Sequence, residues 1–274
     1  MNHAELDFDI RTPEAAKSTL CRLSHVSPKT WENSLQKIDD YDYQTDFIFE
    51  IIKKYGSLPD SYRDFDYFFT HVTTSANECV CIKKHGLIDL CRSYLLNASE
   101  LRTFLDKYGV QIDLPNRLLE YHGTKFDISY NPAYRPSFFS QEQYAYNIGR
   151  KFYYDYAVCG FLSIDEDVPY LGDVHCRPEI LADVDSLLHT DFSRKWYLSH
   201  KPYAVQAHIS GKDIIFDGDD NWSEEDKVIH YLTEAFSAAY GYPTERTIIL
   251  KNNISVPPCN IIDIQPLTYS GWIR

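Results

Sequence analysis

Three short segments of the chain carry side chains of the types most often used for acid–base chemistry and for ligand binding. Their distinctive residues are a histidine, a tyrosine and a glutamate. The segments are Thr70-His71-Val72-Thr73-Thr74-Ser75, then Gly160-Phe161-Leu162-Ser163 followed by Tyr170, and finally Glu245 before the run Arg246–Leu250. Whether these side chains meet in one site depends on the helices and strands that carry them.

Turn and capping residues divide the chain into a helical N-terminal region and a mixed region. Thr12-Pro13-Glu14-Ala15 has the form of an N-cap followed by a proline and an acidic first turn. Phe47–Tyr55 carries a broad apolar stripe that stops at Gly56. We therefore expect residues 1–62 to form a helical lead-in and residues 63–274 to form the main domain.

The main domain mixes predicted strands and helices. Tyr67–Val72 is rich in aromatic and β-branched residues, which predicts a strand, and Ser75-Ala76-Asn77-Glu78 is a capping box that predicts a helix stopping at Gly86. Further strands are expected at Val158–Ile164, Tyr203–Ile209, Arg246–Leu250 and Asn260–Ile264. Further helices are expected to open at Asn97-Ala98-Ser99-Glu100, Ser140-Gln141-Glu142-Gln143, Pro178-Glu179-Ile180-Leu181 and Ser223-Glu224-Glu225-Asp226. Strands and helices neither alternate strictly nor cluster, which favours the α+β class.

Several familiar catalytic motifs are missing from the sequence. It contains no Gly-x-Gly-x-x-Gly, no phosphate loop, no His-Glu-x-x-His and no Gly-x-Ser-x-Gly. The acidic stretch Asp217-Gly218-Asp219-Asp220-Asn221 lacks the central glycine and the terminal glutamate of a calcium-binding loop, so we interpret it as a solvated turn.

Charge and cysteine content limit the partners and the compartment. The 27 basic and 40 acidic residues give a net charge of −13, which disfavours non-specific binding to phosphate backbones. The seven cysteines have no framework spacing and predict reduced thiols, and Cys79-x-Cys81 with His85 and Cys91 matches no common zinc spacing. With no long apolar run and no signal-like start, we expect a cytoplasmic protein without metal or membrane contact.

The order of the three segments resembles the ADP-ribosyltransferase superfamily, in particular its His-Tyr-Glu clade. In that clade a first strand ends in His-Gly-Ser or His-Gly-Thr and leads to a helix ending in Gly-Leu. A middle strand then leads to a tyrosine, and a late strand starts with the catalytic glutamate. The resemblance covers Tyr67–Pro266, with an insertion at about 91–143. It implies a split mixed β-sheet core, a helical lead-in and a helical insertion.

The resemblance implies NAD as the co-substrate and gives each residue a role. His71 would hold a ribose hydroxyl on the adenosine side, and Tyr170 would stack on the cationic nicotinamide ring. Glu245 would bond the 2′-hydroxyl of the nicotinamide ribose and stabilise the positive charge that develops as the glycosidic bond breaks. The other residues expected at the NAD site are Val72, Thr73, Gly160 and Ser163.

The sequence departs from the pattern of the family at two points. Val72 stands where the family has a glycine, and β-branching restricts its backbone. A second candidate, Tyr121-His122-Gly123-Thr124, matches the family tetrapeptide without any substitution. It is not followed by a capped helix ending in Gly-Leu, so we prefer His71 to His122 as the NAD-binding histidine.

The implied activity is cleavage of the nicotinamide–ribose bond and transfer of ADP-ribose to a macromolecular acceptor. The acidic net charge favours a protein over a nucleic acid as that acceptor. Two alternatives remain: an NAD glycohydrolase that uses water, and a non-catalytic module that binds ADP-ribose or a partner protein. Similarity to bacterial intracellular toxins suggests a role in toxin–antitoxin systems or phage defence, with an antitoxin or regulator as partner.

Overall fold

Helices and strands are interspersed along the described part of the chain. The computed structural model describes residues 6–35, 44–163, 173–241 and 245–267. Its helices are α1 (Pro13–Ser24), α2 (Pro28–Leu35), α3 (Gln44–Tyr55), α4 (Val80–His85), α5 (Leu90–Leu95), α6 (Glu100–Lys107), α7 (Gln141–Tyr153), α8 (Ile180–Leu188), α9 (Phe192–Ser199) and α10 (Glu224–Ala239). Its strands are β1 (Asp7–Phe8), β2 (Asp66–Ser75), β3 (Val110–Asp113), β4 (Leu118–Tyr121), β5 (Thr124–Asp127), β6 (Cys159–Ser163), β7 (Lys201–Ser210), β8 (Ile214–Ile215), β9 (Arg246–Leu250) and β10 (Ile261–Pro266). This mixture confirms the α+β class.

Hydroxyl side chains cap four of the helices whose starts were predicted from the sequence. In each case the side-chain oxygen of a threonine or serine accepts a hydrogen bond from the backbone N–H three residues further on, which satisfies one of the free donors of the first turn. These caps are Thr12 for α1, Ser99 for α6, Ser140 for α7 and Ser223 for α10.

The predicted helix start at Ser75 is wrong, whereas its predicted end is confirmed. Strand β2 continues to Ser75, and α4 begins only at Val80 and ends at Gly86. Glu78 and Cys79 both have φ of 58°, a left-handed conformation that a helix cannot contain. The Ser75 hydroxyl accepts a hydrogen bond from the Cys79 N–H at 2.9 Å, so it stabilises a turn between the strand and the helix.

Most of the strands belong to one mixed sheet. Its strands are hydrogen-bonded in the order β10-β7-β2-β6-β9-β8, with β1 beside β2. The β1–β2 pair is parallel, and the β2–β6, β6–β9 and β8–β9 pairs are antiparallel. Strands β3, β4 and β5 form a separate sheet.

The described chain divides into two compact units, and the first is organised around α10. This unit contains residues 6–35, 44–71, 159–163, 206–241 and 245–251. Helix α10 packs against α1 and α3, and its Tyr231 ring contacts Tyr67 of β2 at a centroid distance of 5.0 Å. Tyr67 is fully buried, and burial of a large side chain of this kind contributes about 1.5–3 kcal/mol. The helices of the expected lead-in thus lie in one unit with β6, β9 and most of β2.

The second unit contains residues 72–158, 173–205 and 252–267. Its core lies between α7 and α8, and the fully buried side chains of Ile148, Leu181 and Leu105 are part of it. Trp196 of α9 is 2% exposed and belongs to the same core. Its indole N–H donates to the Thr74 hydroxyl at 2.8 Å, which satisfies a polar atom that burial would otherwise leave unpaired.

The expected helical insertion is only partly helical, which corrects the sequence prediction. Besides α5 and α6 it contains the antiparallel sheet β3–β4–β5, in which Val110 pairs with Tyr121 and Tyr121 pairs with Thr124. Each of these strands is four residues long. Alternation over so short a stretch gives little periodic signal, so the sequence did not reveal this sheet.

Candidate functional site

The described parts of the three segments singled out in the sequence lie on the neighbouring strands β2, β6 and β9. Strand β6 has β2 on one side and β9 on the other, and Thr70 pairs with Phe161, which in turn pairs with Thr247. His71 directly follows Thr70 on β2. Glu245 lies two residues before Thr247, just ahead of β9. The fold therefore brings the candidate histidine and the candidate glutamate to the two flanks of β6.

His71 is tied to β6 by its side chain. Its Nδ1 atom lies 2.7 Å from the carbonyl oxygen of Cys159, and because a carbonyl only accepts, Nδ1 carries the proton and donates. Burial lowers the pKa of His71, and the bond to the Cys159 carbonyl opposes that change only in part. The imidazole is therefore neutral at pH 7, and its Nε2 atom offers a lone pair to a hydroxyl donor.

Gly160 lies where β2 and β6 approach most closely. A Cβ atom at this position would be 2.4 Å from Cδ2 of Phe69 and 2.9 Å from the carbonyl oxygen of Thr70, both far inside van der Waals contact. The structure thus gives a packing reason for the glycine that the sequence prediction assigned to NAD binding. Ser163, also assigned there, is buried at the end of β6 and is paired with Arg246 after a β-bulge.

Val72 and Thr73 belong to the second unit and continue β2. Val72 is 5% exposed and Thr73 is half-buried. The backbone remains extended up to Ser75, and an extended backbone suits a β-branched residue as well as it suits glycine. The departure from the family pattern at Val72 therefore fits the local structure.

Glu245 is half-buried and directly precedes β9. Strands β2 and β9 run in the same direction because both are antiparallel to β6. With a spacing of about 4.8 Å between strands and about 3.3 Å per residue, the Cα atoms of His71 and Glu245 are separated by roughly 10 Å across the sheet and roughly 10 Å along it. Tyr170, the third residue of the predicted set, lies outside the described residues.

The alternative histidine, His122, lies in a tight hairpin turn of the second unit. His122 and Gly123 have φ of 49° and 80° and join β4 to β5, where Tyr121 pairs with Thr124. Two successive residues with positive φ in a two-residue loop are typical of a type I′ turn. Both residues are exposed. The tetrapeptide Tyr121-His122-Gly123-Thr124, whose residue types match the family motif, therefore forms a turn that reverses the chain.

An ion pair that was not among the predicted site residues involves the neighbour of Glu245 in the sequence, Arg246, and a buried glutamate. Glu234 of α10 contacts Arg246, the first residue of β9, and the Glu234 side chain is only 7% exposed. Burial raises the pKa of Glu234 to about 7, although the nearby Arg246 guanidinium acts in the opposite direction. The sequence could indicate that Glu234 is buried, since it lies three residues after Tyr231 on the apolar face of the helix, but it could not indicate Arg246 as its partner.

Two further ionisable groups surround this pair. The Asp217 carboxylate contributes to the raised pKa of Glu234, and burial lowers the pKa of His230, one turn before Glu234 on α10. The first unit thus holds a cluster of Asp217, His230, Glu234 and Arg246 near the start of β9.

Two cysteines of the second unit, Cys79 and Cys91, have the properties of structural thiols. Burial raises the pKa of both Cys79 and Cys91 to about 11, and the Cys91 thiol donates to the Phe152 carbonyl. Among the described residues, no group of three or more His, Cys, Asp or Glu side chains is placed to hold a metal ion. The same part of the chain has no helix with the length and apolarity needed to cross a membrane.

Comparison with known proteins gives no match. No protein-family model fits the sequence, and neither a curated protein nor a solved structure is significantly similar to it. Any assignment of function therefore depends on the residues themselves and on their arrangement.

Proposed function

We propose that this protein is an NAD-dependent ADP-ribosyltransferase. The observation that carries the proposal is the placement of the three family-like segments on the adjacent strands β2, β6 and β9. These segments are far apart in the sequence, and the fold puts His71 and Glu245 on the two strands that flank β6, where strand alternation directs their side chains to opposite faces of the sheet. A chance likeness of three short motifs would not require neighbouring strands.

Strands β2 and β6 are neighbours in one sheet, and His71 lies at their contact. The two strands are paired at Thr70 and Phe161. Beyond that position the His71 side chain, rather than the backbone of β2, bonds the carbonyl oxygen of Cys159.

His71 has the protonation state that its proposed role requires. A neutral imidazole whose Nδ1 proton is engaged by a carbonyl presents Nε2 as an acceptor, and a ribose hydroxyl is a donor.

Glu245 supplies the carboxylate for the proposed reaction. The bond between ribose C1′ and the nicotinamide nitrogen breaks, and the bonding electrons leave with nicotinamide, which becomes neutral. The positive charge left on the ribose is stabilised by a fixed carboxylate, as in glycoside hydrolysis. A lone pair of the acceptor then forms the new bond to C1′, and the proton of the acceptor is released.

The decisive experiment measures nicotinamide release from NAD by the wild-type chain and by Glu245→Gln. The substitution removes the charge and keeps the shape, so we expect the turnover rate to fall at least about 100-fold with the thermal midpoint unchanged. Glu225→Gln is a matched control because Glu225 is exposed in the first turn of α10. Equal rates in the wild type and Glu245→Gln would contradict the proposal.

The same assay with NAD labelled in the adenosine moiety identifies the acceptor. Incubation with lysate should give a labelled macromolecule, and we expect protein because the chain carries a net charge of −13. Free labelled ADP-ribose alone would indicate a glycohydrolase that uses water.

A further inference from the structure

The second unit holds a groove beside the outer edge of strand β3. In its three-stranded sheet β3 pairs with β4 on one side only, because the strands are ordered β3-β4-β5. The groove has a volume of about 630 Å³, which is within the usual range of ligand sites. Residues of β3 form one wall, and residues of α5 and α6 form the other. An extended peptide can add a strand where the edge of a sheet borders a groove of this kind.

The backbone of β3 directs its hydrogen-bonding groups alternately to β4 and to the groove. The Ile112 N–H donates to the hydroxyl oxygen of Tyr94 in α5, and this bond opposes the effect of burial, which raises the pKa of Tyr94 to about 12. Ile112 therefore directs its amide away from β4, whereas its neighbours Gln111 and Asp113 face their partners in β4. At this point the edge of β3 bonds a side-chain oxygen rather than another strand, and the carbonyl oxygen of a peptide can replace a hydroxyl there.

The side chains of β3 alternate between an apolar and a polar side. Val110 is fully buried and Ile112 is half-buried, whereas Gln111 and Asp113 are exposed. Leu95 of α5 also lines the groove, and 55% of this large apolar residue is exposed. An added strand would therefore meet apolar side chains on one side of the sheet and polar side chains on the other. This environment selects a peptide with the same alternation.

The fixed charges of the groove favour basic residues in that peptide. Asn116 holds the Asp113 carboxylate, because its backbone N–H and its side-chain amide donate to the two oxygens at 3.1 Å and 2.7 Å. These bonds lower the pKa of Asp113, so the group is charged at pH 7. The second carboxylate, Asp106, lies 3.7 Å from the Arg102 guanidinium, which leaves the lining with one net negative charge. A side chain opposite Asp113 on an added strand is close enough for a cross-strand ion pair.

We propose that this groove binds an extended peptide segment of a partner protein, in which apolar residues alternate with lysine or arginine. The segment adds to the outer edge of β3, and one of its carbonyl oxygens accepts from the Ile112 N–H. The Tyr94 hydroxyl then donates to the peptide backbone, and a basic side chain of the peptide pairs with Asp113. The groove contains none of the residues proposed for NAD binding, so peptide binding is a function separate from the transferase activity.

The first test measures binding of the end-capped, fluorescein-labelled peptide Val-Arg-Val-Arg-Val to the full chain by fluorescence anisotropy. We expect saturable binding with a Kd of about 100 μM or below. Val-Glu-Val-Glu-Val should bind about 10-fold more weakly, because a glutamate would lie opposite Asp113. Val-Arg-Val-Arg-Val methylated at every backbone nitrogen keeps its side chains but loses its donors, and it should also bind about 10-fold more weakly. No saturation by about 1 mM, or equal affinity for the three peptides, would overturn the proposal.

Two matched variants locate the charged contact. Asp113→Asn removes the charge and keeps an oxygen to which Asn116 can donate, so the affinity for Val-Arg-Val-Arg-Val should fall about three- to fivefold. Asp127→Asn is the control. Asp127 is exposed on β5, the other outer strand of the same sheet, and likewise accepts a bond from the Ser129 N–H at 2.8 Å. Its variant should keep the wild-type affinity. An unchanged affinity in Asp113→Asn, or an equal loss in both variants, would contradict binding at β3.

Hydrogen exchange of the wild type identifies the strand that the peptide covers, and it applies even if Asp113→Asn does not fold. With saturating Val-Arg-Val-Arg-Val the amides of residues 110–113 should exchange at least about 10-fold more slowly, because the added strand protects this edge. The amides of residues 124–127, in β5, should exchange at the same rate with and without the peptide. Protection confined to β5 or to the first unit would place the peptide elsewhere and overturn the proposal.

Discussion

Two regions of the molecule combine a histidine with a glycine, and they use the two residues in opposite ways. In the first unit His71 donates to the Cys159 carbonyl, and Gly160 is buried against Phe69. In the second unit His122 and Gly123 are exposed in the turn between β4 and β5. Space is the constraint on Gly160, whose added Cβ would overlap its neighbours. Conformation is the constraint on Gly123, which has φ of 80° and no atom within 4 Å of an added Cβ.

The difference shows why a match to a short sequence motif is a weak guide to a functional site. The exact family tetrapeptide lies in a turn whose residues were selected by backbone conformation, because positive φ favours glycine. The segment with a valine in place of glycine lies on a strand beside β6. The position of a motif in the sheet distinguishes the two candidates, and the following predictions test that distinction.

The largest expected effect is on stability at the β2–β6 contact. Gly160→Ala would place a Cβ 2.4 Å from Cδ2 of the buried Phe69, so the strands or the ring must move. We expect the free energy of unfolding to fall by about 2–3 kcal/mol, as overpacking of a core does. Urea unfolding followed by tyrosine and tryptophan fluorescence measures this change. A loss below about 0.5 kcal/mol would show that the two strands are not closely packed here.

The second effect is on NAD binding at the two histidines. His71→Ala removes the acceptor proposed for a ribose hydroxyl, and we expect KM for NAD to rise about 10-fold, equivalent to about 1.4 kcal/mol. His122→Ala is the matched control and should leave KM unchanged. The reverse result would move the binding site to the β4–β5 turn.

The protonation state of His71 predicts how KM for NAD depends on pH, which is a further test of the role of this histidine. Burial lowers the pKa of His71 below its ordinary value of 6.5, so the neutral form persists until the solution is more acidic than that. Protonation converts Nε2 from an acceptor to a donor, and KM should therefore rise only below pH 6.5. The increase should be absent from His71→Ala, measured by initial rates across pH 5 to 8.

The third effect concerns the turn alone. Gly123→Ala keeps open space around the new methyl group but forces a residue with a Cβ to hold φ of 80°. We expect a loss of about 1 kcal/mol in the free energy of unfolding, smaller than that of Gly160→Ala, with the KM of the folded protein unchanged. A large rise in KM would contradict a purely structural role for the turn.

The parts of this fold that the sequence predicted are those with strong local signals. The hydroxyl caps Ser99, Ser140 and Ser223 each mark the start of a helix, and the predicted strand at Arg246–Leu250 matches β9 residue for residue. These features depend on contacts within a few residues of the chain, so the local sequence determines them. The adjacency of β2, β6 and β9 depends on tertiary pairing and could not be predicted from periodicity.

Two features escaped sequence analysis for identifiable physical reasons. The capping box at Ser75 was misread because a serine hydroxyl stabilises turns as well as helix starts, and the left-handed Glu78 and Cys79 place a turn there. The Glu234–Arg246 pair joins residues of two separate elements, so neither residue alone indicated the contact. His71 and Glu245 thus remain predictions made from the sequence, whereas the contact between Glu234 and Arg246 is visible only in three dimensions.

The smallest expected effect again separates the two histidines. Asparagine is favoured over histidine at the first position of a type I′ turn because it tolerates positive φ well. His122→Asn should therefore raise the free energy of unfolding by a few tenths of a kcal/mol, roughly 0.3–0.5, and leave NAD turnover unchanged. His71→Asn at the β2–β6 junction should weaken NAD binding, because the shorter side chain cannot bond the Cys159 carbonyl and present an acceptor at the same distance. Thermal unfolding and NAD titration of the two variants side by side measure both changes, and a gain in stability at residue 71 would contradict the distinction between the strand and the turn.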